Sequence, residues 1–144
     1  MKLKSFATLA VMTALTFGFA SGCGSKSDQA AEHAATAAAQ NWLKEIDGGQ
    51  YAQSWQDASA FFQGKVPEQT WVSEITPVRR PLGELVSRNL DSAQYATQLP
   101  GAPEGQYVVM RFDTSFANKQ SAIETVTFSL EQDGQWKASG YYIK

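Results

Sequence analysis

The sequence predicts an α+β fold, with three N-terminal helices packed on a curved four-stranded antiparallel sheet. Up to about residue 76, apolar residues recur every three or four positions, as on one face of a helix. From Glu84 onward, apolar and polar residues alternate, as in strands with one buried face. Turn residues separate the alternating segments, and Asp133-Gly134 is the strongest hairpin signal among them.

Each predicted helix has one apolar face, and the three helices cover residues 29–47, 50–63 and 67–76. The first helix is rich in alanine, which has the best helix propensity, and Gly48 follows its end. Gly64 ends the second helix. Pro67 suits the first turn of the third helix, because proline lacks an N–H that this turn leaves unpaired. Pro77 disfavours helix in the residue before it, so we expect a connector from there to the sheet.

The four predicted strands are separated by loops, and they cover residues 84–95, 106–116, 121–132 and 135–143. A glycine- and proline-rich loop, 99–105, joins the first two strands. On the third strand, Val126, Phe128 and Leu130 share one face. The helices then pack on that apolar face of the sheet.

The start of the chain has a different composition from the rest. Lys2 and Lys4 precede an apolar run that is too short to span a bilayer, which needs ~20 apolar residues. A basic start, an apolar middle and small residues at the end are typical of a secretory signal. The segment ends in Ala20-Ser21-Gly22-Cys23, which resembles the lipobox of bacterial lipoproteins. The resemblance implies cleavage before Cys23 and lipidation of Cys23. The alternative is a soluble secreted protein, cut after Ala20, in which Cys23 is a chance thiol.

These features predict three parts: a signal peptide, 1–22; the lipidated cysteine and a short linker, 23–28; and a single domain, 29–144. Loss of Lys2 and Lys4 with the signal changes the net charge from −2 to −4. A mildly acidic protein has no electrostatic reason to bind nucleic acid. Because Gly24 rather than aspartate follows the cysteine, the resemblance implies export to the cell envelope and anchoring at the periplasmic face of the outer membrane.

Much of the chain resembles a bacterial protein family. The matching segments are 42–51, 54–55, 79–83, 105–107, 116–117, 124–125, 133–136 and 140–142, together with Trp71 and Arg88. They are similar to the domain-of-unknown-function 4019 family of small exported bacterial proteins. The order of helices and strands also resembles the cone-shaped folds of the nuclear-transport-factor-2-like or cystatin-like kind. The family resemblance implies the compartment and a single domain, but no activity, substrate or catalytic residue.

Two charged residues occupy apolar faces of the predicted strands. Glu124 shares its alternation with Val126 on the third strand, and Arg88 shares its alternation with the apolar residues of the first strand. A buried charge must be paired or neutralised, so we expect Arg88, Arg79 or Arg80 to reach Glu124 across the concave face. The pair is either a structural ion pair between helices and sheet or part of a pocket.

The aromatic residues are numerous for a chain of this size. We expect Trp55, Trp71, Tyr107 and Trp136 either to line an apolar pocket in the mouth of the cone or to belong to an ordinary core. In the pocket interpretation, Arg79 or Arg88 receives an anionic group of a ligand.

The sequence offers little catalytic machinery. His33 is the only histidine and lies in the first helix, so we expect no serine–histidine or cysteine–histidine pair, no metal site and no cofactor in the domain. The leading hypothesis is a non-enzymatic binding or interaction module that contacts the membrane through Cys23 and another envelope protein or a small ligand through its surface. The alternative is a small hydrolase or isomerase-like enzyme that uses carboxylate and tyrosine groups. A purely structural envelope protein is a third hypothesis.

Overall fold

The computed structural model describes residues 25–144, and the predicted signal peptide and Cys23 lie outside them. Helices and strands occur in the order α1 (Lys26–Asp47), α2 (Tyr51–Gln56), α3 (Ala60–Lys65), α4 (Glu68–Arg79), a 3-10 turn (Arg80–Leu82), β1 (Leu85–Ala96), β2 (Tyr107–Phe116), β3 (Lys119–Leu130) and β4 (Trp136–Ile143). The predicted α+β class and the single four-stranded antiparallel sheet are confirmed.

The sheet is an open meander in the order β1-β2-β3-β4, so β1 and β4 are its edge strands. Alternate residues of its two central strands are buried against the helices, among them Val108, Met110 and Phe112 on β2 and Val126 and Phe128 on β3. Helix α1 contacts all four strands, and its buried residues complete this core. The apolar core therefore lies between the helices and one face of the sheet.

Helix α1 begins at Lys26, three residues before the predicted start. Ser25 is its N-cap: the Ser25 hydroxyl accepts a hydrogen bond from the Asp28 N–H, and the Asp28 carboxylate accepts one from the Ser25 N–H. This reciprocal pair satisfies two N–H groups that the first turn would leave unpaired. The end of the expected linker is thus the first turn of a helix.

The second predicted helix is two helices in the structure, so residues 25–144 contain four α-helices rather than the predicted three. The break lies at Ser59, whose backbone is extended and whose hydroxyl accepts a hydrogen bond from the Phe62 N–H. The Ser59 N–H donates to the Ala138 carbonyl on β4 at 2.8 Å. A cap for α3 and a bond to the sheet thus replace the helical hydrogen bonds that a continuous helix would make.

Helix α4 continues through Pro77 to Arg79, although we predicted its end at Thr76. Proline this close to the end of a helix removes one N–H while few later turns remain to be disrupted. Residues 71, 75 and 79 recur every four positions, so Arg79 shares the buried face of Trp71 and Ile75. Within residues 25–144, no helix combines the length and apolar character needed to cross a membrane.

Candidate functional site

The centre of the candidate site is Glu124, whose side chain has 0% exposure. Its Oε2 atom accepts hydrogen bonds from Arg88 Nε at 2.6 Å and from the Thr114 hydroxyl at 2.7 Å. Its Oε1 atom accepts from Arg88 Nη2 at 3.1 Å and from the Tyr141 hydroxyl at 2.6 Å. Arg88, Thr114, Glu124 and Tyr141 come from β1, β2, β3 and β4, so each strand contributes one side chain.

Arg88 joins Glu124 to a second carboxylate, that of Asp47 at the end of α1. Arg88 Nη1 lies 2.7 Å from Asp47 Oδ2, and Arg88 Nη2 lies 2.9 Å from Asp47 Oδ1. Arg79 Nη2 donates to the same Oδ1 atom at 3.1 Å. Two guanidinium groups and two carboxylates therefore neutralise one another inside the protein, as buried charges require.

Arg79 ties this charged network to the end of α4. Its Nη1 donates to the Gly83 carbonyl at 2.6 Å, and its guanidinium carbon lies 4.3 Å from the centre of the Phe116 ring. Gly83 has φ of 77°, in the left-handed region that favours glycine. A Cβ at Gly83 would also lie 3.2 Å from the Ala117 Cβ, so a side chain there would crowd the β2–β3 turn.

The environment of the network shifts the pKa values of two of its members. Burial, then the negative charge of Glu124 and the hydrogen bond to it, raise the pKa of Tyr141 above its ordinary range. For Arg88, burial acts to lower the pKa, but hydrogen bonds to Asp47 and Glu124 outweigh it and raise the pKa. Both groups therefore stay protonated at neutral pH and act as hydrogen-bond donors.

The sequence placed Arg88 and Glu124 on one face of the sheet, and the structure brings them together. It brings Arg79 to Asp47 rather than to Glu124. Arg80 is exposed and lies at a surface cleft of about 530 Å³, which Arg79, Asp47 and Tyr51 also line. Sequence reasoning missed Asp47, whose only signal is its place at the helix end before Gly48, and it missed the role of Tyr141.

The four aromatic residues singled out from the sequence do not share a pocket. Trp71 is buried in the core and donates its indole N–H to the Ser54 hydroxyl at 3.0 Å, while Trp55 donates to the Val66 carbonyl at 2.7 Å. Tyr107 and Trp136 lie at separate surface clefts of about 200 and 250 Å³. Tyr107 alternates with the core residue Val108, so it faces the opposite side of the sheet.

A largely apolar cleft of about 570 Å³ lies beside β4. Its walls include Phe61 and Phe62 from α3, Trp71 from α4, and Tyr141 from β4. We call it the β4 cleft. Lys65 and Glu74 carry opposite charges at its walls. Tyr141 thus lies between the charged network and the β4 cleft.

Glu45 forms a separate acidic pair with Asp57 at the small cleft that contains Trp136. Burial, then the neighbouring Asp57 carboxylate, raise the pKa of Glu45 to about 7. Glu45 therefore changes its charge near neutral pH. Within residues 25–144, no group of three or more histidine, cysteine, aspartate or glutamate residues is arranged to hold a metal ion.

The chain matches a known protein family. Residues 38–141 match the sequence model of a family described as a protein of unknown function, DUF4019. The matched segment contains every member of the charged network and all of the sheet except the last two residues of β4. No curated protein matches the chain.

Proposed function

The chain belongs to the DUF4019 family, and we propose that it is a non-enzymatic binding module of the bacterial cell envelope, anchored to the membrane by lipid on Cys23. The observation that carries the binding role is the saturation of the charged network. Both oxygens of Glu124 and both oxygens of Asp47 accept hydrogen bonds from side chains of the protein. The Glu124 carboxylate is fully buried and bonded on both oxygens, so it is not free to contact a substrate, and only Asp47 of the two carboxylates borders a surface cleft.

Binding would then take place on the surface, where the apolar β4 cleft offers a site of the size that small ligands and side chains occupy. We further propose that the fold is a nuclear-transport-factor-2-like or cystatin-like cone. The contacts of α1 with all four strands support this proposal.

The anchor is proposed from the sequence around Cys23. In lipoproteins of this kind, two or more acyl chains give stable membrane binding, because each buried methylene contributes ~0.8 kcal/mol. The absence of aspartate after Cys23 supports the outer membrane as the destination. The domain would face the periplasm, where it would meet other envelope proteins.

The alternative, a small hydrolase or isomerase-like enzyme, has one observation in its favour. Glu45, with its pKa of about 7, lies at a cleft beside a second carboxyl group, Asp57. Such a pair is suited to general acid–base catalysis near neutral pH. Any hydrolytic or isomerising activity of the purified protein should then fall in Glu45→Gln and persist in Glu84→Gln, a change at an exposed carboxylate that lines neither this cleft nor the β4 cleft.

Native mass spectrometry of the full chain, extracted from bacterial envelopes in mild detergent, tests the main proposal. We expect a mass that lacks residues 1–22 and includes acyl chains, together with a second chain or a small molecule at fixed stoichiometry. The Cys23→Ser variant should lack the acyl mass and leave the membrane fraction. A wild-type mass that fits cleavage after Ala20 with a free thiol would contradict the anchor, and a bare monomer in every preparation would contradict the binding role.

A further inference from the structure

The free edge of the sheet at β4 exposes backbone groups that can bind another strand. The Ile123 N–H donates to the Lys144 carbonyl, and the Lys144 N–H donates to the Ile123 carbonyl, both at 3.0 Å. In an antiparallel ladder, such mutually bonded pairs alternate with pairs whose N–H and C=O groups point outward. Ile143 pairs with Glu124 and Tyr141 with Val126, so both are in outward-pointing positions.

The same edge already accepts one hydrogen bond from outside the sheet. A bulge at Thr127 and Phe128 shifts the register of β4, so the backbone groups of Ala138 also point away from β3. The Ala138 carbonyl accepts a hydrogen bond from the Ser59 N–H at 2.8 Å. Ser59 has an extended backbone, as a residue of an added strand would have. Among residues 25–144, no backbone group bonds to the outward N–H and C=O of Tyr141 and Ile143. A strand added beside Tyr141 and Ile143 would therefore bond to the same edge of β4 as Ser59 does.

The β4 cleft lies beside this unpaired edge. Ser139, Gly140 and Tyr141 of β4 line it, opposite Phe61, Phe62 and Trp71. Successive side chains of an added strand point to opposite faces of the sheet, so every second side chain lies on the face that holds the cleft. Hydrogen bonds from the backbone together with a pocket for a side chain are the two elements of recognition by strand addition.

The charged residues at the β4 cleft indicate which side chains a partner would carry. Lys65 is exposed, and its ammonium lies 5.8 Å from the centre of the Phe61 ring. The ion pairs among residues 25–144 do not involve Lys65, so its charge can meet an acidic side chain of a partner. Glu74, on the other wall, disfavours an acidic residue on its side.

We propose that the β4 edge binds an extended segment of a partner protein, which places a large apolar side chain in the β4 cleft and an acidic side chain next to Lys65. This inference rests on the proposed binding function, for which it names the surface and the partner's chemistry. The partner contributes a strand beside Tyr141–Ile143, and the sheet gains a fifth strand.

Hydrogen exchange and fluorescence anisotropy on the full chain in mild detergent test this inference. The probe is a fluorescein-labelled hexapeptide with the order threonine, phenylalanine, valine, glutamate, valine, threonine, in which phenylalanine and glutamate share one face of the strand. We expect saturable binding and slower exchange of the amides in residues 138–143. A peptide N-methylated at alternate positions cannot donate to the edge and should bind at least about 10-fold more weakly. Equal binding of the N-methylated peptide, protection elsewhere or no binding would overturn the inference.

The charge at Lys65 gives a matched pair of variants. Lys65→Glu should weaken binding about fivefold and should favour a peptide with lysine in place of glutamate. Lys119→Glu, at the far end of the sheet, makes the same charge change and should leave the affinity unchanged. Melting curves of both variants establish that they fold. Equal effects of the two substitutions would show a general effect of net charge and overturn the role of Lys65.

Two further measurements distinguish binding at the β4 edge from lipidation of Cys23 and from self-association of the protein. Peptide binding by Cys23→Ser would support the edge even if the wild-type chain proved not to be lipidated. Protection of 138–143 that increases with protein concentration in the absence of peptide would show that a second copy occupies the edge, and it would overturn the proposed partner.

Discussion

Arg88 Nε lies 2.6 Å from Glu124 Oε2, and these two residues are 36 positions apart in the chain. The same guanidinium reaches Asp47, 41 positions before it. One side chain on an edge strand thus joins the third strand to the end of the first helix. Because such distant segments must meet before these bonds form, the network fixes how the helices dock on the sheet rather than how either forms locally.

Replacing Glu124 with glutamine should destabilise the fold strongly. The substitution keeps the size of the side chain but leaves Arg88 without half of its charge partners in a buried site, which costs about 3 kcal/mol. Thermal and urea unfolding measure the loss. Glu84→Gln makes the same chemical change at an exposed residue and serves as the control. Equal melting temperatures for Glu124→Gln and wild type would show that the pair contributes nothing to stability.

Arg88→Lys tests the geometry of the network rather than its charge. Lysine keeps the positive charge but loses the planar fork that bonds both carboxylates, so we expect a loss of about 2 kcal/mol in urea unfolding. Arg111→Lys, at an exposed position of β2, should change stability little. If Arg88→Lys were as stable as wild type, a positive charge at this position would be sufficient for stability and the planar guanidinium would not be needed.

Ser54→Ala should lower the stability of the fold, because it removes a buried hydrogen bond to Trp71. The Ser54 hydroxyl is fully buried and accepts the Trp71 indole N–H at 3.0 Å. Without it, a buried N–H is left unpaired, at a cost of about 2 kcal/mol. Ser73→Ala removes a hydroxyl from the exposed side of α4 and is the matched comparison for chemical unfolding. If the two variants unfold at the same urea concentration, the bond is dispensable.

Glu45 should make stability depend on pH near neutrality. Its pKa is 4.5 in the unfolded chain and about 7 in the fold, so the folded state binds the proton more tightly. Its ionisation therefore destabilises the fold, and this loss develops as the pH rises from about 5 to about 8. Glu45→Gln imitates the protonated form. We expect the melting temperature of wild type to fall relative to that of Glu45→Gln over this range.

The comparison of the two proteins at each pH cancels the other titrating groups. Asp57 and Lys137 face the same cleft and are present in both proteins. A constant difference in melting temperature across the range would contradict the raised pKa of Glu45.

Alternation was the most informative signal in the sequence, because a strand has a strict period of two residues. It predicted the four strands and put Arg88 and Glu124 on the same face. The bulges in β1 did not prevent this, since Arg88 lies between them, in register with Thr114. The apolar neighbours of Arg88 misled in one respect: Val86 and Leu90 are substantially exposed at the edge strand. Alternation identifies a face but does not tell how far the helices cover it.

Helix ends were less predictable, because single side chains decide them. Ser25 and Ser59 each cap a helix through a hydroxyl, and neither stands out among the other serines of the chain. Pro77 predicted an end that α4 does not obey. The role of Asp47 could not be predicted, because its partners lie in α4 and β1 and no local sequence pattern connects these two segments with the end of α1. The positions of the aromatic residues also depend on contacts between distant segments, so the sequence alone did not predict which of them lie in the core and which lie at surface clefts.

The short distance between Cys23 and the capped start of α1 has a mechanical consequence. Only Gly24 separates the proposed lipid anchor from the N-cap at Ser25. Helix α1 has 22 residues and is therefore about 33 Å long at 1.5 Å per residue. Because α1 packs across the sheet, a lipid on Cys23 would lie within two residues of the domain itself. The Asp47 end of α1, where the two arginines bind, is the opposite end of that helix from the lipid.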